Sequence, residues 1–257
     1  MPHDEALAHV RAEPVKHVDA TTWRVGGAFC SLWAIATKLV TVFAITADGA
    51  TTRIRDLLAT LHGFLVTDRG TTFGFWAMDR RQVCWAHLIR KFVSYTERHD
   101  EGARLGQHLL LFAQYMLAQW HRVRDGTLSR RRFQLEMAPV RIAIENLLVQ
   151  GESLGLRGLS GSCEDILKHR DALFTFIDVT GIDPTNNLAE RVLREFVLWR
   201  KVSQGSQSVR GCIFAQRVMT VFQTLRQQRR SVFEFLVEAC HAAQHGLRTP
   251  SLIPANR

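Results

Sequence analysis

Three acidic residues, Asp19, Asp68 and Glu190, stand in local contexts that suit metal-binding carboxylates. Asp19 lies within the strand-like stretch Val15 to Trp23, flanked by Val18 and Ala20. Aspartate has a low preference for strands, so its presence there argues for a task other than pairing. Asp68 closes the apolar run Gly63-Phe-Leu-Val-Thr67, where a buried strand would deliver its next side chain to a sheet edge. Glu190 falls in Thr185-Asn-Asn-Leu-Ala-Glu-Arg191, which reads as the first turn of a helix. Carboxylates brought to one spot from two strands and a helix repel one another unless divalent cations sit between them. Two-metal phosphoryl transfer uses such a set.

Each residue also has a structural reading. Asp68 precedes Arg69-Gly70 and equally suits a turn. Glu190, three residues after Asn187, equally suits the back-bonding position of a capping box, with Arg194 as an ion-pair partner one turn on. Asp19 has no such alternative, since nothing caps or turns at a strand centre.

The elements that must position these groups follow from periodicity. Three strand-like runs come first, Val15 to Trp23, Phe29 to Thr37 and Leu39 to Thr46, with Gly26-Gly27 as a turn. A helix over Thr52 to Leu61 leads through Gly63 into the strand that ends at Asp68. A three-strand meander followed by strand-helix alternation predicts an α/β protein, an α+β mixed sheet with helices packed on it. This is the order of a ribonuclease H-like fold, in which the first and fourth strands lie side by side and bring Asp19 next to Asp68.

Beyond Trp85 the chain turns helical. Leu105, Leu109, Phe112, Met116 and Trp120 recur at helical spacing, as do Phe133, Met137, Val140, Ile144 and Leu147. Gly126 and Ser129 supply a stop and an N-cap between them, and Pro139 is expected to kink or delimit the second helix. Ser162 and Asp165 have capping-box spacing ahead of a helix whose apolar face continues through Leu173, Phe174 and Ile177. The expected organisation is a tail at 1–14, a first part of the core at 15–85, an all-helical insertion between the second and third acids at 86–182, and the acidic helix with the C-terminal helices at 183–257. Ala189, Val192, Leu193, Phe196 and Val197 form the buried stripe of that acidic helix, predicted over Asn187 to Leu198. Two further helices are expected at Gly211 to Gln228 and Val232 to His245.

Composition limits the partners. A net charge of +9 and a pI near 9.9 favour polyanions. No segment has the length and purity of a membrane span, so nucleic acid is the leading partner. Five scattered cysteines, Cys30, Cys84, Cys163, Cys212 and Cys240, suit a reducing compartment better than a disulfide framework. The first residues lack the basic-then-apolar order of a signal peptide, and a cytoplasmic, nucleoid-associated location is expected. Cys84 and His87 have a spacing that can bind zinc, but a structural site needs four ligands and no second pair of comparable spacing appears. Cys84 is expected to fill a core position, with His87 at the start of the next helix facing the acids or simply satisfied there. Among the basic clusters, Arg191, Arg194, Arg200 and Lys201 flank Glu190 and could hold phosphates of a bound strand. Trp199 in the same stretch either stacks on an unpaired base or is buried.

The stretches His17-Val-Asp-Ala-Thr-Thr-Trp-Arg24, Gly63 to Asp68, Arg81-Gln-Val-Cys-Trp-Ala-His-Leu-Ile-Arg-Lys-Phe92 and Pro184 to Arg191 resemble the catalytic domain of insertion-sequence-66-type transposases. Leu198 to Lys201, Gly205 to Ser208 and Pro250 to Pro254 are similar to the family's tail, in the family's order. The resemblance implies that Asp19, Asp68 and Glu190 are the acidic triad. It implies magnesium as the cofactor, two ions with manganese as a substitute, and double-stranded DNA carrying element ends as the partner. DNA would be cut and joined by a homodimer formed on DNA, with accessory proteins of the same element. Family members usually carry Asp-Glu-Thr-Gly where this chain has Asp19-Ala-Thr-Thr22, and Arg-Pro where it has Arg194-Glu195. They also carry a long N-terminal extension with zinc-binding and DNA-binding elements, whereas the 14 residues before Val15 here are expected to be too few for a helix-turn-helix. Two rival functions remain beside this one. One is a silent remnant that only binds DNA, and the other is a ribonuclease H-like nuclease without strand transfer.

Overall fold

A computed structural model describes residues 1–253. Five strands, β1 (Val15–Val25), β2 (Ala28–Ala36), β3 (Thr41–Thr46), β4 (Phe64–Thr67) and β5 (Arg81–Val83), form a mixed sheet in the order β3-β2-β1-β4-β5. The first and fourth strands are therefore neighbours, as the ribonuclease H-like reading requires. β1 pairs antiparallel with β2 from His17 opposite Ala36 to Val25 opposite Ala28, and β2 pairs antiparallel with β3 from Ser31 opposite Thr46 to Ala36 opposite Thr41. The hairpin between β1 and β2 turns through Gly26 and Gly27, both at positive φ (55° and 90°).

The chain divides into two compact units. The first holds residues 1–65, 71–76 and 187–257. It opens with a helix, α1 (Pro2–Ala12), where a tail was expected. The signals for it are short and local: Pro2 in the first turn, Asp4 and Glu5 near the positive helix end, Arg11 near the negative end. Packing accounts for the rest. Ala6 and Val10 sink into a core cluster with Val18, Val42, Ile54, Leu58 and Leu65, and Arg11 Nε donates to the Leu57 carbonyl at 2.8 Å. α2 (Thr51–Leu58) contributes Ile54 and Leu58 to that cluster.

A second core cluster lies between the sheet and α8 (Asn187–Ser203), where Trp23, Leu32, Ala34 and Phe43 meet Val192, Leu193 and Phe196. Here α9 (Val209–Gln227) borders β3, with the Thr220 hydroxyl accepting from Phe43 N at 3.0 Å and Gln216 from Ile45 N at 3.1 Å. α10 (Val232–Gln244) follows, capped by Ser231. These hydrogen bonds satisfy the outer edge of the sheet.

The second unit holds residues 66–70 and 77–186. Its helices are α3 (Trp85–Thr96), α4 (Glu101–Arg124), α5 (Arg130–Ser153), α6 (Ser160–Leu167) and the short α7 (Thr175–Asp178). Asp100 and Ser129 cap α4 and α5 through their side chains. Pro139 sits inside α5, yet the helix runs unbroken, held on both sides of the proline by buried Phe133, Met137, Val140, Ile144 and Leu148. The predicted capping box fails: α6 begins at Ser160, so Ser162 is already helical, and Asp165 pairs with Arg69 instead. The apolar run after it splits into a 3-10 turn (Arg170–Ala172) and α7. Gln82 stabilises that break, donating to the Leu173 carbonyl at 3.0 Å and accepting from Phe176 N at 2.8 Å. Among the described residues no helix is long and apolar enough to cross a membrane.

Candidate active site

In the first unit, strand alternation puts Asp19, Thr21 and Trp23 on one face of β1 and Val18 on the other. The buried Trp23 ring meets Phe196 and Trp199 of α8 at centroid distances of 5.4 and 6.0 Å, so the face carrying Asp19 is the face that α8 covers. Ser206, just beyond α8, bridges Val25 in the parallel sense. Phe196 thus lies beside Trp23, and Ser206 beside Val25. The Ala20 N–H donates to Asp19 Oδ1 at 2.8 Å.

At the other end of α8, Arg200 donates to the Thr22 hydroxyl at 2.7 Å, to the Thr21 hydroxyl at 3.4 Å and to the Thr22 carbonyl. Thr22 thus has a defined partner where the family pattern has glycine. Arg200 and Lys201 line a groove of about 460 Å³ with Thr22, Arg24, Phe29 and Gln204. Arg191 lies apart from them and shares a pocket with Glu195 and Arg226, while Arg194 is exposed. The basic cluster that looked continuous in sequence is therefore divided along the helix. Trp199 is half-buried, packed against Trp23 and Phe196.

In the second unit, Asp68 follows β4 directly. Its Oδ1 accepts from Gly70 N at 2.8 Å, the turn geometry that its sequence context allowed. The Cys84 N–H donates to the Thr67 carbonyl at 2.8 Å, bringing the start of α3 to the end of β4. Arg81 is buried beneath this junction and donates to the Thr67 hydroxyl and the Asp68 carbonyl, each at 3.3 Å. Burial pulls the Arg81 pKa below its ordinary value, and the negative charge of Asp68 opposes that shift.

Cys84 is buried as expected, and its Sγ accepts from Asn186 N at 3.1 Å. Cys84 Sγ and a ring nitrogen of His87 lie within 4.8 Å of each other, two donors of the kinds zinc accepts and half of a structural set. His87, one turn into α3, lines a groove of about 500 Å³ with Asp68, Arg69, Arg90, Lys91 and Asp165. The structure thus brings His87 and Asp68 to one groove. Arg90 and Lys91 were missed from sequence. Their signal was present, since His87, Arg90 and Lys91 stand at i, i+3 and i+4 on one helical face.

The fold is ribonuclease H-like, a five-stranded mixed sheet with a helical insertion between β5 and the returning helix α8. The chain matches the family model described as "Transposase IS66 family" over residues 2–213, and it belongs to that family. No curated protein and no solved structure matches it.

Proposed function

We propose that this transposase-family chain is a DDE-type catalytic domain that cuts DNA at insertion-sequence ends and joins the freed ends to a target. One observation supports the reading: α8, the helix that carries Glu190, packs through Phe196 and Trp199 on the face of β1 that carries Asp19. Asp68, at the end of the strand next to β1, is the third member. The donor set fits a hard divalent cation, since all three side chains offer carboxylate oxygens. Backbone N–H groups of Ala20 and Gly70 orient the Asp19 and Asp68 carboxylates. Magnesium held there, with manganese as a substitute, would activate an attacking water or 3′-hydroxyl and stabilise the leaving oxygen.

The chain's own part is positioning. Asp19, Asp68 and Glu190 hold the charge that the cations neutralise. His87, Arg200 and Lys201 hold strand phosphates, with Arg191 and Arg194 extending the basic surface along α8. The partner is double-stranded DNA bearing element ends on the nucleoid, engaged by two copies of the chain together with accessory proteins of the element.

The test is magnesium-dependent nicking of end-containing duplex, followed by joining from a pre-cut 3′-hydroxyl. Asp19→Ala, Asp68→Ala and Glu190→Ala are each expected to fall to the level of the metal-free control. Full activity in any of them removes that residue from the site. Cleavage without joining would leave a nuclease, and duplex binding with no cleavage at any metal concentration would leave a silent remnant.

A further inference from the structure

The groove beside Arg200 contains more than phosphate-binding cations. Its lining holds three of them, Arg24, Arg200 and Lys201, and no carboxylate, together with the ring of Phe29. Phe29 is 66% exposed, although large aromatic side chains on a strand normally pack. It stands directly opposite Arg24 across the hairpin, and the Arg24 guanidinium lies 4.9 Å from the ring centroid. One cation thus already sits on the ring, and most of the ring remains accessible to a ligand.

The support beneath this ring is rigid. Ser206 N donates to the Arg24 carbonyl at 2.8 Å, Gly26 N donates to the Ser206 carbonyl at 2.9 Å, and Trp23 Nε1 donates to Ser206 Oγ at 3.2 Å. Gly205 makes the approach possible: it sits at φ 100°, and a Cβ there would stand 2.4 Å from the Arg24 carbonyl oxygen. Arg200 fixes the neighbouring Thr22. An aromatic ring held on a clamped hairpin among uncompensated cations is the arrangement that stacks a base and holds its phosphates. Bases within a duplex already have both faces stacked, so a ring offering its face selects an unpaired nucleotide.

We propose that Phe29, with Arg24 and Lys201, forms a binding site for an unpaired nucleotide of a DNA strand, the base stacked on Phe29 and the adjoining phosphates on the cations. The proposal rests on DNA being the substrate, but not on the acidic residues being catalytic.

The test is equilibrium binding of the full chain to a fluorescent oligothymidylate of about 12 nucleotides, within the usual span of such sites, and to a duplex lacking single-stranded ends. Phe29→Ala is expected to weaken oligothymidylate binding about 5- to 100-fold, as loss of a base–aromatic stack does, with duplex binding essentially unchanged. Phe29→Trp, which keeps a stacking face, restores it. Arg24→Ala with Lys201→Ala lowers the salt dependence of oligothymidylate binding by about 1.4 in slope, close to two lost phosphate contacts. Oligothymidylate binding that Phe29→Ala leaves intact overturns the proposal. So does an equal loss on duplex, or absence of oligothymidylate binding in the unsubstituted chain. Nicking assays on the same proteins separate the two readings: stacking dependent on Phe29 without cleavage keeps this site and sinks the catalytic one, and cleavage without such stacking does the reverse.

Discussion

The indole of Trp23 meets the ring of Phe196 edge-on, with centroids 5.4 Å apart and planes at 84°. Both rings are fully buried, and Phe43 adds a third ring 4.5 Å from Phe196. This contact does more than fill the core, because it anchors α8, which carries Glu190, to the face of β1 that carries Asp19. Trp23→Ala is expected to destabilise the protein by about 3–5 kcal/mol, the usual result of emptying a large aromatic site. Trp23→Phe is the informative variant. It should keep the chain folded by circular dichroism and urea titration while lowering magnesium-dependent nicking. Unchanged nicking would show that the acidic pair tolerates a shift of α8.

Arg90 and Lys91 share the Asp68 groove with His87, and phosphate contacts made there would leave a salt signature. Each phosphate contact on duplex DNA contributes about 0.9 to the slope of log affinity against log salt. Arg90→Ala with Lys91→Ala should therefore weaken duplex binding and reduce that slope by about 2. Arg131→Ala, on an exposed position of α5, should leave the slope unchanged. Anisotropy titrations over a salt series decide between them.

Much of this arrangement was legible in sequence because it depends on local patterns. Asp19 stood out as an aspartate at a strand centre, Asp68 as the end of an apolar run, and Glu190 as the first turn of a helix with a clear buried stripe. What was not legible depends on long-range packing. Arg194-Glu195 looked like a departure from the family's pattern, yet Glu195 pairs at 2.8 Å with Arg226 of α9, which no local spacing reveals. Trp199 stood among basic residues and invited a stacking role, while the exposure of Phe29 beside Arg24 depends on the pairing of the hairpin. α1 was hidden because a helix of 11 residues is marginal alone and forms here by burying Ala6 and Val10.

Two glycines at positive φ separate backbone conformation from crowding. Gly63, at φ 77°, leads into β4, and a Cβ there would stand 2.2 Å from the Pro14 carbonyl oxygen. Phe64 N donates to that same oxygen at 2.7 Å, so the backbone cannot retreat without breaking the bond that starts β4. Gly27, at φ 90°, has nothing within 4 Å of the equivalent position. Gly27→Ala should cost about 1 kcal/mol, the conformational term alone. Gly63→Ala should cost clearly more, with a lower urea midpoint. Equal midpoints would show that the Pro14 contact relaxes freely.

Lys16 gives the fold a pH dependence of definite sign. It is buried, its Nζ donates to the His62 carbonyl at 2.8 Å and to the Glu13 carbonyl, and it lies 5.9 Å from the Trp76 ring centroid. Burial pushes its pKa down from 10.5 to about 8, with the Glu13 carboxylate opposing the shift. Below about pH 8 the lysine is protonated in both the folded and the unfolded chain, and the folded state bears the penalty of a buried charge. Between about 8 and 10.5 the unfolded chain still holds the proton that the folded chain has released, so the Lys16 contribution to stability rises with pH and levels off above that window. Burial raises the pKa values of the Cys30 and Cys163 thiols and of the Tyr95 hydroxyl, and these groups act in the opposite sense at overlapping pH. The clean readout is therefore the stability difference between the unsubstituted protein and Lys16→Met, from urea titrations at fixed ionic strength. That difference should move in favour of the unsubstituted protein as pH climbs through the window. A difference that stays constant would show that Lys16 keeps its ordinary proton affinity in the fold.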